Sequence, residues 1–324
     1  MRNGVIRMLG TLVLVIGMAM CNGCALLDTS TKTSDGDLKA ELGEYNGLKH
    51  AIGCKDFANQ SGWSGQWKVG NNLSIMLESA LFDTGRFVMV EREKLRDVLM
   101  EQDLATSGRT AKAKKVAKTG LIRPARYIAT GAVTEAEEGV SGGGAGVNLW
   151  GVRVGGSKSK AKLTIIAKLV DTTTGEVKAK KRIVGIAGRV GLNLGLRIGP
   201  VGGQIGGFKK TPLGEAAQDC INQAAIFFAK TMEEMPFEGS IVKVSRGKVI
   251  INRGSEFGMS MGQKLVMREE GELLTDPDTG AILGNEEGEE IGKLEVTKTL
   301  EKMSYCKILA GEKNPKPGTV VMEE

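Results

Sequence analysis

Cys24 is the residue whose neighbours most directly specify chemistry. Residues 1–20 carry Arg2 and Arg7 ahead of an apolar run, 8–20, which is too short to cross a bilayer as a helix and reads as a secretory signal. The signal ends in Cys21-Asn22-Gly23-Cys24-Ala25. A small residue directly before a cysteine is what the signal peptidase for bacterial lipoproteins accepts, so Cys24 is the expected lipidated N-terminus, carrying palmitate-type chains. Cys21 competes, but Met20 ahead of it is a poor small residue. Ala25 stands where an aspartate would retain the protein at the inner membrane, which points to the outer membrane. Acyl chains on one cysteine anchor a chain without any spanning helix. The expected place is therefore the outer membrane, lipid-anchored and facing mainly the periplasm.

Other reactive residues are sparse. His50 is the one histidine, and it reads as a surface residue before a strand rather than a catalytic base. No serine or cysteine partner stands at a readable spacing, so no catalytic residue is assigned and an enzyme is not expected. With Cys24 acylated, Cys54, Cys220 and Cys306 remain after cleavage. Their separations match no metal motif, so buried thiols with at most one disulfide are expected, with no metal and no cofactor. Residues 151–159, GVRVGGSKS, approach a phosphate loop, but Ser157 intrudes between Gly156 and Lys158 and no helix pattern follows. The formal charge of +6 becomes +4 once Arg2 and Arg7 leave with the signal. Such mild charge, with the lysines of 112–118 read as one solvated helix face, gives no nucleic-acid patch.

The elements around these residues are dominated by period two. Over 184–198 the even positions include Val190, Leu192, Leu194, Leu196 and Ile198, and the odd positions include Arg189, Asn193 and Arg197. Gly199-Pro200 breaks the run, and a weaker alternation follows in which Gln204 shares the polar side. This is a β-hairpin with one apolar and one polar face. It fits one half-buried strand pair of a soluble sheet. That is the commoner source of such alternation, but the stretch also fits a transmembrane barrel, with Arg189, Asn193, Arg197 and Gln204 toward water and Val190, Leu192, Leu194, Leu196 and Ile198 toward lipid. A second glycine-rich hairpin is expected over 140–154, between strands at 127–134 and 160–170. Two hairpins supply four strands, fewer than the eight a barrel needs, so a pore requires several copies.

Around the hairpins the order is mixed. A strand ends near Phe57, and a loop over 58–72 carries Trp63, Trp67, Asn71 and Asn72. A helix of Leu73, Met76, Leu77, Ala80 and Leu81 follows, stopped by Gly85, then a strand at 86–90, helices at 95–102 and 111–119, and the strand from Tyr127. Thr211-Pro212 caps a long helix with Leu213, Ala216, Ala217, Cys220, Ile221, Ala224 and Phe228 on one face.

Several of these segments, KDFANQSG (55–62), ALFDTGRFVMVEREKL (80–95), YIATGAVTE (127–135) and LVDTTTGEV (169–177), together with the glycine-rich hairpin, resemble the curli secretion channel (CsgG) lipoprotein family over about 48–235. The resemblance implies a homo-oligomeric ring, a nonamer, in which each lipidated subunit gives two hairpins to one outer-membrane barrel above a periplasmic collar. It implies a secreted polypeptide as substrate, periplasmic accessory proteins as partners, and no nucleic acid. The family's constriction loop follows the pattern matched by Gln60-Ser61-Gly62. Trp63, Trp67, Asn71 and Asn72 are the constriction candidates, in a loop several residues shorter than in the curli protein.

The tail departs from that family. After Pro236, short β-rich runs at 240–244, 248–252, 263–267, 290–297, 305–309 and 319–322 alternate with turns, the strongest being Asp276-Pro277-Asp278-Thr279-Gly280. They predict a small barrel-like all-β domain. GQKLVM (262–267), DPDTGAILG (276–284) and IGKLEV (291–296) resemble the C-terminal domain of flagellar assembly protein T, which implies a docking module.

The fold class expected is α+β: signal 1–23, flexible tether 24–46, and a mixed α/β domain 47–235. That domain carries hairpins near 134–168 and 181–209, inserted for an oligomeric transmembrane barrel, and the all-β domain at 237–324 follows it. The function expected is a subunit of a protein-secretion channel. A periplasmic scaffold lipoprotein without a pore is the alternative.

Overall fold

The computed structural model describes residues 38, 41–111, 116–141, 147–149, 152–154, 156–192, 211–245, 247–280 and 282–324. Strand β1 (His50–Asn59) turns Ile52, Cys54 and Phe57 into the core. Helix α1 (Val69–Thr84) lies against it through Leu73, Met76, Leu77, Ala80 and Leu81, the stripe that the apolar spacing predicts. Gly85 ends α1 in the left-handed conformation at φ 68° and returns its N–H to the Phe82 carbonyl. The crossover delivers β2 (Phe87–Met89) parallel to β1. Helix α2 (Leu95–Thr106) then buries only Gln102.

The helix expected over 111–119 does not form in its described part. Residues 116–118 are irregular, and Gly120 turns the chain at φ 77°. Val116 and Leu121 are exposed, so the described residues offer no apolar face to hold a helix on the core.

Strand β3 (Tyr127–Ser141) enters the sheet parallel to β1, and β6 (Gly156–Asp171) and β7 (Val177–Leu192) follow it antiparallel, giving the order β2-β1-β3-β6-β7. Two short strands, β4 (Val147–Leu149) and β5 (Val152–Val154), pair with each other between β3 and β6. The β3–β6 hairpin is the first of the two expected. The second is described only for its first leg, β7; Asn193, Leu194, Leu196, Arg197, Ile198 and Gln204 lie outside the described residues, as does Cys24.

Helix α3 (Pro212–Glu233) begins where Thr211 and Pro212 direct it: the Thr211 hydroxyl accepts from the Gly214 N–H at 3.0 Å, and proline occupies the first turn. Its alanines let it lie unusually close to the sheet. A Cβ on Gly185 would fall 2.1 Å from the Ala216 carbonyl oxygen, and the Cys220 thiol donates to the Leu163 carbonyl at 3.3 Å. Helices α1 and α3 share one core on one face of the sheet.

The six strands expected of the tail all form: β8 (Glu238–Ser245), β9 (Lys248–Ile251), β10 (Lys264–Arg268), β13 (Glu290–Thr299), β14 (Ser304–Gly311) and β15 (Val320–Glu323). They close as a barrel in the order β10-β13-β14-β9-β8-β15, β15 pairing back to β10. A hairpin that the sequence reading did not anticipate, β11 (Leu273–Thr275) with β12 (Ile282–Asn285), flanks the Asp276 turn. The Gly280 N–H returns to the Asp276 carbonyl at 2.8 Å and the Asp278 N–H to the Asp276 carboxylate at 2.8 Å. The fold is therefore mixed α and β with a closed six-stranded barrel.

Packing reaches back into the segment read as a tether. Leu38 is 2% exposed in the sheet core, and Leu48 is buried in the barrel core. The Arg86 guanidinium donates to the Leu42 carbonyl, lies 4.8 Å over the Tyr45 ring and pairs with Glu233.

Candidate functional site

Three places hold the residues that could act. The first is the root of the long strands. A register shift between Val133 and Glu135 re-aims β3, and Glu135 then reaches across the next two strands: Lys162 of β6 at 2.7 Å, Arg182 of β7 at 2.9 Å, and the Thr164 hydroxyl of β6 donating at 2.8 Å. Ala161 and Ala187 lie in the core with Leu213 of α3, and beyond them β6 and β7 continue in register to Gly156 and Leu192. The register makes Ser159 the partner of Arg189, Lys158 the partner of Val190 and Gly156 the partner of Leu192. Strands at 127–134 and 160–170 are legible in the sequence, but the Glu135 clasp and these cross-strand pairs depend on a register that the sequence does not state. The only signal available was an isolated acid in a strand pattern.

The second place is the tryptophan loop, which spans 60–68 between β1 and α1. Asn59 organises it: its carboxamide donates to the Trp63 carbonyl at 2.9 Å and accepts from the Ser61 hydroxyl at 2.7 Å, and the Trp63 N–H donates to the Ser61 hydroxyl at 3.2 Å. Trp63 and Trp67 are half-buried against the sheet core, and the Trp63 indole nitrogen is buried without a partner among the described residues. Asn71 and Asn72 stand apart from the tryptophans, in the first turn of α1. Asn72 is buried, and the Asn71 carboxamide donates to Glu93 at 2.7 Å.

The third place is a cleft of about 380 Å³ where sheet and barrel meet, lined by Arg123, Arg126, Arg253, His50, Phe237 and Glu238 among others. His50 corrects the reading of it as a surface residue. It is partly buried, edge-on to Tyr127 and Phe237 at ring distances of 6.0 and 6.2 Å. Burial pushes its pKa down, the Arg126 and Arg253 charges push the same way, and a backbone hydrogen bond with Met235 opposes them. The arginines are spent inside the chain: Arg123 on Glu256 at 2.5 Å, Arg126 on Glu238 at 3.0 Å, and Arg253 on the Glu238 carbonyl at 2.7 Å while it lies over Phe257. The cleft is a weld between two bodies.

The cysteines hold no chemistry in common. Cys54, Cys220 and Cys306 are buried free thiols, and burial raises the pKa of each, Cys220 and Cys306 to about 12. Among the described residues no cluster of His, Cys, Asp and Glu could hold a metal ion. No described helix is long and apolar enough to cross a membrane.

Among solved structures, the hypothetical protein CT253 from Chlamydia trachomatis aligns at 11% identity and TM-score 0.35, over 56% of this chain and 97% of that one. The PelC dodecamer from Paraburkholderia phytofirmans aligns at 14% identity and TM-score 0.26, over 56% and 88%. The lipoprotein GNA1162 from Neisseria meningitidis aligns at 15% identity and TM-score 0.25, over 45% and 88%. At these scores the likenesses carry no argument about function. No curated protein sequence matches the chain. Residues 40–253, about two thirds of the chain, match the curli production assembly/transport component CsgG, and the chain belongs to that family.

Proposed function

We propose that this chain is a lipid-anchored subunit of a ring-shaped protein-secretion channel in the outer membrane. Cys24 carries the lipid, the helical layer forms a periplasmic collar, and the two hairpins of each copy enter one shared barrel. The observation that supports this best is the length of β3, β6 and β7. Strands of globular sheets run about 5–6 residues, whereas these run 15, 16 and 16. Past Ala161, β6 continues for residues 156–160, and past Ala187, β7 continues for 188–192. At about 3.3 Å per residue that is roughly 16 Å of sheet beyond the core. An open sheet projecting so far leaves edge groups unpaired, and neighbouring copies closing a barrel satisfy them.

In this reading Arg189, Asn193, Arg197 and Gln204 face the channel water, and Val190, Leu192, Leu194, Leu196 and Ile198 face lipid. The loop 60–68 narrows the passage with the surface of Trp63 and Trp67 that the core leaves open. One observation favours a second reading, a periplasmic scaffold without a pore: Lys158 is the register partner of Val190, so the apolar stripe of β7 is not continued on β6. At the bilayer midplane a lysine would cost about 2–4 kcal/mol, but near the interface only about 0–1. Lys158 is three residues past Ala161, at the foot of the hairpin, where the interfacial cost applies.

Electron microscopy of detergent-extracted protein, with planar-bilayer recording, tests the proposal. A ring with a membrane barrel and discrete conductance is expected. A soluble, barrel-less particle without conductance overturns the channel. The constriction is read separately. Trp63→Ala with Trp67→Ala is expected to raise single-channel current with the ring intact, and an unchanged current from an intact ring removes both residues from it.

A further inference from the structure

The chain carries two exposed patches of opposite charge that it does not bring together. Residues 269–290 hold nine acidic side chains and no basic one. They surround the β11–β12 hairpin, whose Leu273, Leu274, Ile282 and Leu283 are all exposed, Leu283 at 66%. Of the nine acids, Glu287 alone has a cation within 4 Å among the described residues, Arg268 at 2.7 Å. This is an apolar flap ringed by carboxylates, all but Glu287 without a cation within 4 Å among the described residues.

The counterpart is the face of β6 and β7 turned away from α1 and α3. Residues 156–182 hold eight basic side chains and two acidic ones; Lys181 lies over Phe227 of α3 on the opposite face, Lys162 and Arg182 pair with Glu135, and Lys178 pairs with Glu176. Lys168 and Lys180 are direct register partners across β6 and β7, and Thr130 stands on the other side of Lys168. Like charges placed directly opposite destabilise a strand pair unless a counter-charge relieves them. Apolar surface lies among these cations: Ile186 is 61% exposed, and Ile166 and Val184 are half-buried.

We propose that the acidic β11–β12 flap of one subunit docks on the lysine-rich face of β6 and β7 in the next subunit around the ring. The occupant is a second copy because both complementary patches belong to one chain and each keeps charges, Lys168 and Lys180 on one side and the flap acids other than Glu287 on the other, with no counter-charge within 4 Å among the described residues. A head-to-tail contact of this kind is the heterologous interface that closes rings. Opposite patches also fix register between copies and steer their association. The inference rests on the ring assembly proposed above.

Cross-linking the full, detergent-extracted protein tests it. Leu283→Cys combined with Ile186→Cys, treated with a short bis-maleimide, is expected to give a ladder of covalent oligomers, and either cysteine alone none; the native thiols are buried. Glu270→Lys with Glu286→Lys is expected to lower the cross-linking yield about tenfold. Adding Lys168→Glu and Lys180→Glu to those charges is expected to restore it. An intact ring without a ladder overturns the docking and leaves the ring standing. A monomer under all conditions overturns both. A ladder that charge reversal does not weaken, or that the combined swap does not restore, overturns the electrostatic pairing.

Discussion

His50 is where burial, charge and stability meet in one side chain. Its pKa is pushed down first by burial, then by Arg126 and Arg253, while Glu238 and the Met235 backbone push back. A folded-state pKa below the unfolded value near 6.5 means the unfolded chain binds the proton first. Stability is therefore full above about pH 6.5 and falls as pH drops through the folded pKa. His50→Gln, which keeps a polar side chain but cannot titrate, is expected to flatten that acid limb in urea denaturation measured across pH. An unchanged slope would mean that His50 is not the group responsible. A sequence reader could not have found this. His50 looks like a lone residue ahead of a strand, and its neighbours Phe237, Glu238 and Arg253 come from a part of the chain almost two hundred residues away. The proposed lipidation site at Cys24 is the opposite case, since a signal sequence would be read as sequence by its peptidase and its meaning is local.

At the scale of elements, what could be read depended on whether burial followed a local period. Helices α1 and α3 announced themselves through apolar spacing, Gly85 and Thr211-Pro212, and the six barrel strands through runs bounded by turns. The segment 111–119 has helix-forming residues, but its described part, with Val116 exposed, buries no face. The β11–β12 flap was hidden because its leucines are not part of any core. For the hairpins the period gives two faces without saying which solvent each meets. Leu194→Arg, on the proposed lipid face, is expected to abolish membrane insertion, because a charge there costs about 2–4 kcal/mol near the midplane. Asn193→Arg, on the proposed water face, is expected to insert as well as the unaltered protein. Fractionation of both variants into detergent-soluble membrane protein reads the difference, and equal insertion would argue for the scaffold.

At the scale of the whole molecule, the barrel is not a bead on a string. Leu48 precedes β1 yet is buried among Ile241, Phe257 and Val321 in the barrel core, and the Lys49 N–H donates to the Phe257 carbonyl at 2.9 Å. A Cβ on Gly258 would meet the Gly47 carbonyl oxygen at 2.4 Å, so only glycine, already at φ 83°, allows the two chains this approach. Around this seam Arg123 and Arg253 stack on Phe257, and Arg123 also pairs with Glu256. Such contacts couple the two bodies into one cooperative unit, and removing them should uncouple the bodies without emptying either core. Arg123→Ala with Arg253→Ala is expected to turn a single thermal transition into two, the barrel melting first because it keeps the smaller core. Scanning calorimetry of the detergent-extracted protein reads the split. A single transition displaced by only a few degrees would mean that Leu48 and the Gly47–Gly258 approach hold the seam alone. The arginines would then serve the orientation of the barrel rather than its cohesion with the sheet.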